Sequence, residues 1–234
     1  MENAVWITGA SSGIGREIAL HFAREGKVVI ASARRFKELQ SMAESEKFEK
    51  GRIIPLELDV SDSESITTAY NKIRENYFIE CLVNNAGVSS FKNAMENSDE
   101  EIKNIIETNL TGTILVTRKV IPAMTEAKSG RIMNILSVTS KKIFTNSSVY
   151  SASKTGLEAY MNVLREELRE YNIRITNFYP GATKTPIWPN GALEKFASRM
   201  MNPRDVAKVI FEVFNQKENI VSEEVVLRPL KGDL

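Results

Sequence analysis

Seven short apolar runs alternate with longer amphipathic stretches along this chain, and the alternation restricts the fold more than any other feature. The runs are AVWI (4–7), KVVIAS (27–32), RIIPLEL (52–58), CLVNN (81–85), RIMNILS (131–137), IRITNFY (173–179) and EEVVLR (223–228). Their length and their β-branched residues read as strands. Between them the apolar period lengthens. Ile14, Ile18 and Phe22 recur every four residues across 14–26, where Gly26 offers a helix stop. Further helices are expected at 36–50, at 61–76 with Ser61 or Asp62 as N-cap, at 99–109, 112–127 and 150–171, and at 203–215, where Pro203 suits a first helical position. Strands that alternate with helices form a parallel sheet covered on both faces. The expected fold class is therefore α/β, a doubly wound parallel sheet of about seven strands. Pro55 predicts an irregularity in the third strand. No linker rich in Pro, Gly or Ser divides the 234 residues, so residues 1–234 are read as a single domain.

Composition removes several function classes. Cys81 and His21 are the only cysteine and the only histidine, so no disulfide closes within the chain and no Cys/His metal site is expected. Cys81 reads as a small buried hydrophobe and His21 as a partly exposed helix residue. A net charge of +1 gives no sign of a nucleic-acid or membrane partner. The opening MENAVWITGA lacks the apolar core of a signal peptide, and no run reaches the roughly 18 apolar residues of a bilayer span, which leads to the expectation of a cytoplasmic protein.

The first strand runs into TGASSGIG, Thr8 to Gly15, which opens the first helix. Gly9, Gly13 and Gly15 permit a tight turn and close approach of a ligand to the backbone. Ser11 and Ser12 add hydroxyl donors, and Ile14 begins the helical run. A helix N-terminus preceded by such a loop attracts phosphate, so this junction is read as a dinucleotide site.

A second feature is SSVYSASKTG, residues 147–156, where Tyr150 and Lys154 stand four apart on one helical face. A phenol with a pKa of about 10 donates protons readily and accepts them poorly near neutrality. An adjacent ammonium favours phenolate and lowers that pKa. The pair thus reads as a proton donor in one direction and a base in the other, suited to an oxygen that gains charge as a carbonyl is reduced.

These segments, together with LDVSD (58–62), NNAG (84–87), Ser137 and PGATKT (180–185), resemble in order and over nearly the whole chain the short-chain dehydrogenase/reductase family. The resemblance implies a Rossmann fold and a hydride transfer between a nicotinamide cofactor and a small carbonyl or alcohol substrate. It implies that Ser137 holds the substrate oxygen and that Lys154 also binds the nicotinamide ribose. It assigns Asn109 to a water relay reaching Lys154, Asp59 and Val60 to the adenine, and Asn85, Ala86 and Gly87 to the floor beneath the ribose. Pro180, Gly181, Thr183 and Thr185 are expected to close over the nicotinamide, and residues of about 181–202 to form a substrate loop. A homodimer or homotetramer follows by analogy alone. Leu136 departs from the family pattern, which favours a small polar residue before Ser137.

The second strand ends in ASARR, residues 31–35. NAD-dependent enzymes of this architecture place an acid there for the ribose hydroxyl. Ala33 takes that place here, and Arg34 and Arg35 offer guanidinium forks for a 2′-phosphate, so NADP(H) is expected over NAD(H). Residues 138–146 and 186–201 are expected to wall the substrate pocket, with Ile143, Phe144, Trp188, Phe196, Met200 and Met201 as apolar candidates. Lys141 and Lys142 read either as a solvated pair or as a preference for an anionic substrate. The segments TKTPIW and SEEVVLRPLKGDL resemble bacterial reductases grouped near sepiapterin reductase, and 3-oxoacyl-carrier-protein reductases are similar as well. A non-catalytic nucleotide-binding redox sensor is the alternative of another class.

Overall fold

The computed structural model describes residues 1–189, 191–217 and 219–234. Seven parallel strands make one sheet: β1 (Glu2–Thr8), β2 (Val28–Ala33), β3 (Arg52–Glu57), β4 (Tyr77–Asn84), β5 (Gly130–Ile135), β6 (Ile173–Pro180) and β7 (Glu224–Leu227). Their spatial order is β3-β2-β1-β4-β5-β6-β7. The helices are α1 (Gly13–Arg24), α2 (Phe36–Ser45), α3 (Ser63–Ile73), α4 (Asp99–Ile106), α5 (Gly112–Ala127), α6 (Ser148–Leu168), α7 (Ala192–Phe196) and α8 (Pro203–Phe214).

The period-2 alternation of each strand feeds two cores. Ala4 and Trp6 of β1, with Val28 and Ile30 of β2, pack on one face with Ile66 of α3, Val120 of α5 and Leu157 of α6. Val5 and Ile7, with Val29 and Ala31, pack on the other with Ile18 and Phe22 of α1, Leu39 of α2 and Ile210 of α8. Strands buried on both faces read as continuous apolar runs, which is why AVWI and VVIA lack polar alternation. Each fully buried aliphatic or aromatic side chain contributes about 1.5–3 kcal/mol.

Several sequence expectations shift in detail. β4 starts four residues before CLVNN, because the YFIE segment pairs with the start of β1. Asp62, and not Ser61, caps α3, accepting from the Glu64 N–H at 2.9 Å. Pro55 leaves the β2–β3 register unbroken; β3 is an edge strand, where a missing N–H is tolerated. The irregularity lies instead between Ala4 and Val5 against β4. α6 begins at Ser148, two residues before Tyr150, and ends at Leu168 ahead of a short 3-10 turn. Among the described residues, no helix is long and apolar enough to cross a membrane.

The strand order reverses direction between β1 and β4, and their C-terminal ends open a crevice there. The crevice is stitched at its base. Thr8 Oγ1 accepts from the N–H groups of Asn85 and Ala86, each at 3.1 Å, and the Asn85 amide donates to the carbonyls of Thr8 and Gly9.

Candidate active site

A cavity of about 740 Å³ lies along the C-terminal edge of the sheet. Its first wall is the loop between β1 and α1. Gly9 and Gly13 both have left-handed backbones, φ 67° and 58°. A side chain at Gly9 would place its β-carbon 2.7 Å from Ala86 Cα, so only glycine lets the loop lie against the end of β4. Ser11, Ser12, Gly13 and Ile14 line the cavity as well. Gly15 lies behind that wall, within α1, where a β-carbon would fall 2.3 Å from the Asn85 amide.

The same end of the cavity receives Arg34, Arg35, Asp59 and Val60. Arg35 donates to the Ser11 hydroxyl at 2.9 Å and to the Ser12 hydroxyl at 2.7 Å, which brings its guanidinium over the glycine loop. Arg34 lies 3.9 Å from the Asp59 carboxylate. Asp59 also accepts from the Ser61 N–H and hydroxyl, at 2.9 and 2.6 Å. Two cations therefore stand where β2 ends, beside Ala33 and without an acid at that strand's tip.

Asn85, Ala86 and Gly87, after β4, and Pro180, Gly181, Thr183 and Thr185, at and after the end of β6, line the cavity further along. At the far end Ser137, Tyr150 and Lys154 face the same space. Ser137 follows β5 and caps a short turn, Val138–Ser140, its hydroxyl accepting from the Thr139 N–H at 3.2 Å. Tyr150 and Lys154 project from consecutive turns of α6. Lys154 is 4% exposed, and its ammonium donates to the Ile135 carbonyl at 2.7 Å. Burial, which penalises its charge, lowers its pKa to about 8.

The pKa of Tyr150 departs from the sequence expectation. Burial pushes the phenol up to about 12, and a hydrogen bond with Ser137 opposes that only in part. Lys154 does not pull it below its ordinary value. The Lys154 nitrogen is 5.9 Å from the Tyr150 ring centre and is committed to the Ile135 carbonyl, so desolvation outweighs it. The phenol is thereby held protonated, the form a proton donor needs.

Asn109 stands one layer behind the cavity. A π-type turn, Glu107–Thr111, joins α4 to α5 and turns this side chain fully inward. Its amide donates to the Val88 carbonyl at 2.8 Å and to the Ser153 hydroxyl at 3.0 Å, and its oxygen accepts from the Val88 N–H at 2.8 Å. Those bonds clamp the loop after β4 to α6. Gly87 separates the Asn109 oxygen from the Lys154 nitrogen: a β-carbon on it would lie 3.3 Å from one and 3.6 Å from the other.

Of the apolar candidates for the substrate end, Phe144 and Trp188 line the cavity. Ile143 points to solvent at 92 % exposure, and Phe196, Met200 and Met201 are not part of the lining; Met201 packs against the core of α1 and α8. Ile187, within the expected wall segment 186–201, lines it too, whereas sequence reading missed Phe91 and Asp233, which also line it. Phe91 stacks on Trp188 with ring centres 4.9 Å apart and planes 5° from parallel. Its signal was positional, four residues beyond NNAG where the chain leaves a strand's C-terminal end. Lys141 and Lys142 lie outside the cavity lining, and both are surface-exposed, as a solvated pair would be, yet each is ion-paired. Lys141 pairs with Glu158 and Glu224, and Lys142 with Asp233. The expected loop of 181–202 folds back on itself, Met201 donating to the Ala182 carbonyl and Lys184 to that of Met201, both at 2.9 Å. Its tip includes α7, and Asn190 within it lies outside the described residues.

The crevice thus combines a phosphate-type glycine loop, cations at one end and a Ser/Tyr/Lys set at the other, a donor set that fits an extended nicotinamide dinucleotide. Comparisons with known proteins point the same way. A family model described as short chain dehydrogenase matches residues 3–194. The chain is 35% identical over 242 residues to a sepiapterin reductase of Chlorobaculum tepidum, covering 100% of this chain and 99% of that protein. It is 31% identical over 237 residues to an NADP-dependent 3-hydroxy acid dehydrogenase of Schizosaccharomyces pombe, covering 96% and 92%. The closed form of a serine dehydrogenase complexed with NADP+ superposes with a TM-score of 0.90 at 27% identity, covering 99% and 96%. This chain, a seven-stranded Rossmann-type oxidoreductase, belongs to the short chain dehydrogenase family.

Proposed function

We propose that this protein reduces a carbonyl group on a small molecule, or oxidises the corresponding alcohol, with NADP(H) as the hydride partner. The observation that carries the reading is the convergence of Ser137, Tyr150 and Lys154 on one cavity whose other end is the glycine loop. The bound nicotinamide supplies or accepts hydride; everything else falls to the chain. The Ser137 hydroxyl donates a hydrogen bond to the substrate oxygen and orients it toward Tyr150. Tyr150 gives its phenolic proton to that oxygen as negative charge gathers there. Lys154, held by the Ile135 carbonyl, binds the cofactor ribose and stabilises the phenolate left behind. Asn109 holds the loop after β4 in place and is assigned the proton relay on its inner side.

The glycine loop and the start of α1 hold the pyrophosphate, and Asp59 and Val60 hold the adenine. Arg34 and Arg35 face the 2′-phosphate, which is why the cofactor is assigned as NADP(H) before NAD(H). Two of the compared proteins carry NADP in their descriptions. Phe91, Phe144, Ile187 and Trp188 give the substrate end an apolar character, which favours neutral ketones or diketones. Pro186, Ile187 and Trp188, from the loop after β6, wall that end. A homo-oligomer packed through α5 and α6 completes the reading, supported by Val163 standing 60% exposed on α6.

NADPH oxidation across a panel of aryl ketones, diketones, acetoacetyl thioesters and pteridines tests this function. Turnover of at least one class is expected. NADPH binding without turnover across the whole panel would favour a redox sensor.

A further inference from the structure

Ser137 and Lys141 are the two ends of one short turn. The Ser140 N–H donates to the Ser137 carbonyl at 3.1 Å, and the Lys141 N–H to the Val138 carbonyl at 2.9 Å. The Lys141 ammonium then reaches three other elements. It donates to Glu158 on α6 at 2.6 Å and to both carboxylate oxygens of Glu224 on β7 at 3.0 Å. It also sits 4.3 Å from the centre of the Tyr179 ring on β6, whose hydroxyl donates to Glu224 at 3.2 Å. Glu158 is one turn beyond Lys154 and two beyond Tyr150 on the same helix, and its side chain is only 13% exposed.

We infer that Lys141 is a positioning residue for the proposed reaction: its bond to Glu158 fixes the turn carrying Ser137 against the helix carrying Tyr150. The inference rests on the proposed roles of Ser137 and Tyr150. Isolated surface ion pairs fix little, because two long side chains must be ordered in water. This one differs in having a largely buried carboxylate and further partners from two strands, so the lysine has few other places to go. Burial works against its charge, yet the bonds to Glu158, Glu224 and Tyr179 hold its pKa above the ordinary lysine value, and the pin persists through neutral pH. Lys141 is not part of the cavity lining, so any effect on chemistry must pass through another residue.

The test is a double-mutant cycle, read in kcat with NADPH and the panel ketone that turns over fastest. A misplacement near 1 Å costs up to about a hundredfold in rate. Lys141→Met is expected to lower kcat about tenfold while KM for NADPH stays within about twofold. In a Ser137→Ala background the same change is expected to cost less than about twofold, because the residue it positions is gone. Lys141→Arg should restore most of the rate, and Glu158→Gln should reproduce the Lys141→Met loss. If Lys141→Met does not fold, as judged by circular dichroism, Glu158→Gln carries the cycle in its place. An equal loss in both backgrounds, or a loss in NADPH KM as large as that in kcat, would overturn the inference. Ser137→Ala alone separates the two ideas. If it leaves kcat unchanged, the proposed function falls and takes the positioning role with it.

Discussion

The Lys154 ammonium stands 5.9 Å from the centre of the Tyr150 ring and spends a hydrogen bond on the carbonyl of Ile135, at the end of the strand that leads to Ser137. One lysine thus ties the helix bearing the phenol to the end of the strand that leads to the serine. Its charge is costly there, and burial brings its pKa to about 8.

That value gives a pH prediction. The protonated Lys154 is the stronger, charge-assisted donor to the cofactor ribose. NADPH affinity, measured by fluorescence titration, should weaken as pH rises through about 8. Lys154→Ala should bind NADPH more weakly at neutral pH and show no such transition. A stability consequence has its own sign. The unfolded chain keeps this proton up to the ordinary value of 10.5, while the folded chain releases it near 8. The unfolded state therefore binds more protons across that window, and this residue's share of stability rises with pH there. Denaturant melts of Lys154→Met should lack that rise.

Cofactor choice should follow charge placement. A charge-assisted hydrogen bond contributes about 1.5–3 kcal/mol, so one guanidinium contact to a 2′-phosphate gives roughly ten- to a hundredfold preference. kcat/KM is expected to favour NADPH over NADH by at least about tenfold. Arg34→Ala should raise KM for NADPH and leave NADH nearly unaffected. Arg35→Ala should raise both, because it also frees the Ser11 and Ser12 hydroxyls of the glycine loop. Ala33→Asp should move preference toward NADH. The NADPH advantage should shrink with added salt. Kinetics with the two cofactors side by side check each point.

Gly9→Ala forces a β-carbon into a left-handed backbone and to within 2.7 Å of Ala86. Strain of this kind costs about 1–3 kcal/mol, and the loop must move off the end of β4 to relieve it. The expected result is a lower unfolding midpoint together with weaker NADPH binding, read by thermal melts and by titration.

The Phe91–Trp188 stack joins the loop after β4 to the loop after β6. Phe91→Ala should raise KM for an apolar ketone several-fold while leaving KM for NADPH nearly unchanged. Trp6 is fully buried in the sheet, so a change in acrylamide quenching between the two proteins reports Trp188.

Much of this was legible in the sequence, for identifiable reasons. The alternation of apolar runs with amphipathic stretches follows directly from a sheet buried on both faces, and the glycine loop is local enough to read. Nearly every residue assigned to the cofactor or to chemistry does line one cavity; Gly15 and Asn109 stand just behind it. What sequence spacing did not reveal was tertiary. Ile143 and Phe144 are adjacent and equally apolar, yet one faces solvent and the other the cavity. Lys141 looks like a surface charge until Glu158 and Glu224 are brought to it from residues distant in the chain. The direction of the Tyr150 shift was also hidden, because helical spacing shows the neighbouring ammonium but not the depth of burial that outweighs it.

The central claim is that the Tyr150 phenol supplies the proton in carbonyl reduction. Tyr150→Phe removes that proton and keeps the ring. General acid catalysis contributes at least about a hundredfold, so kcat on a ketone the unmodified protein reduces should fall by at least that factor, with NADPH affinity nearly unchanged. A Tyr150→Phe protein that binds NADPH normally and keeps most of its activity would contradict the account.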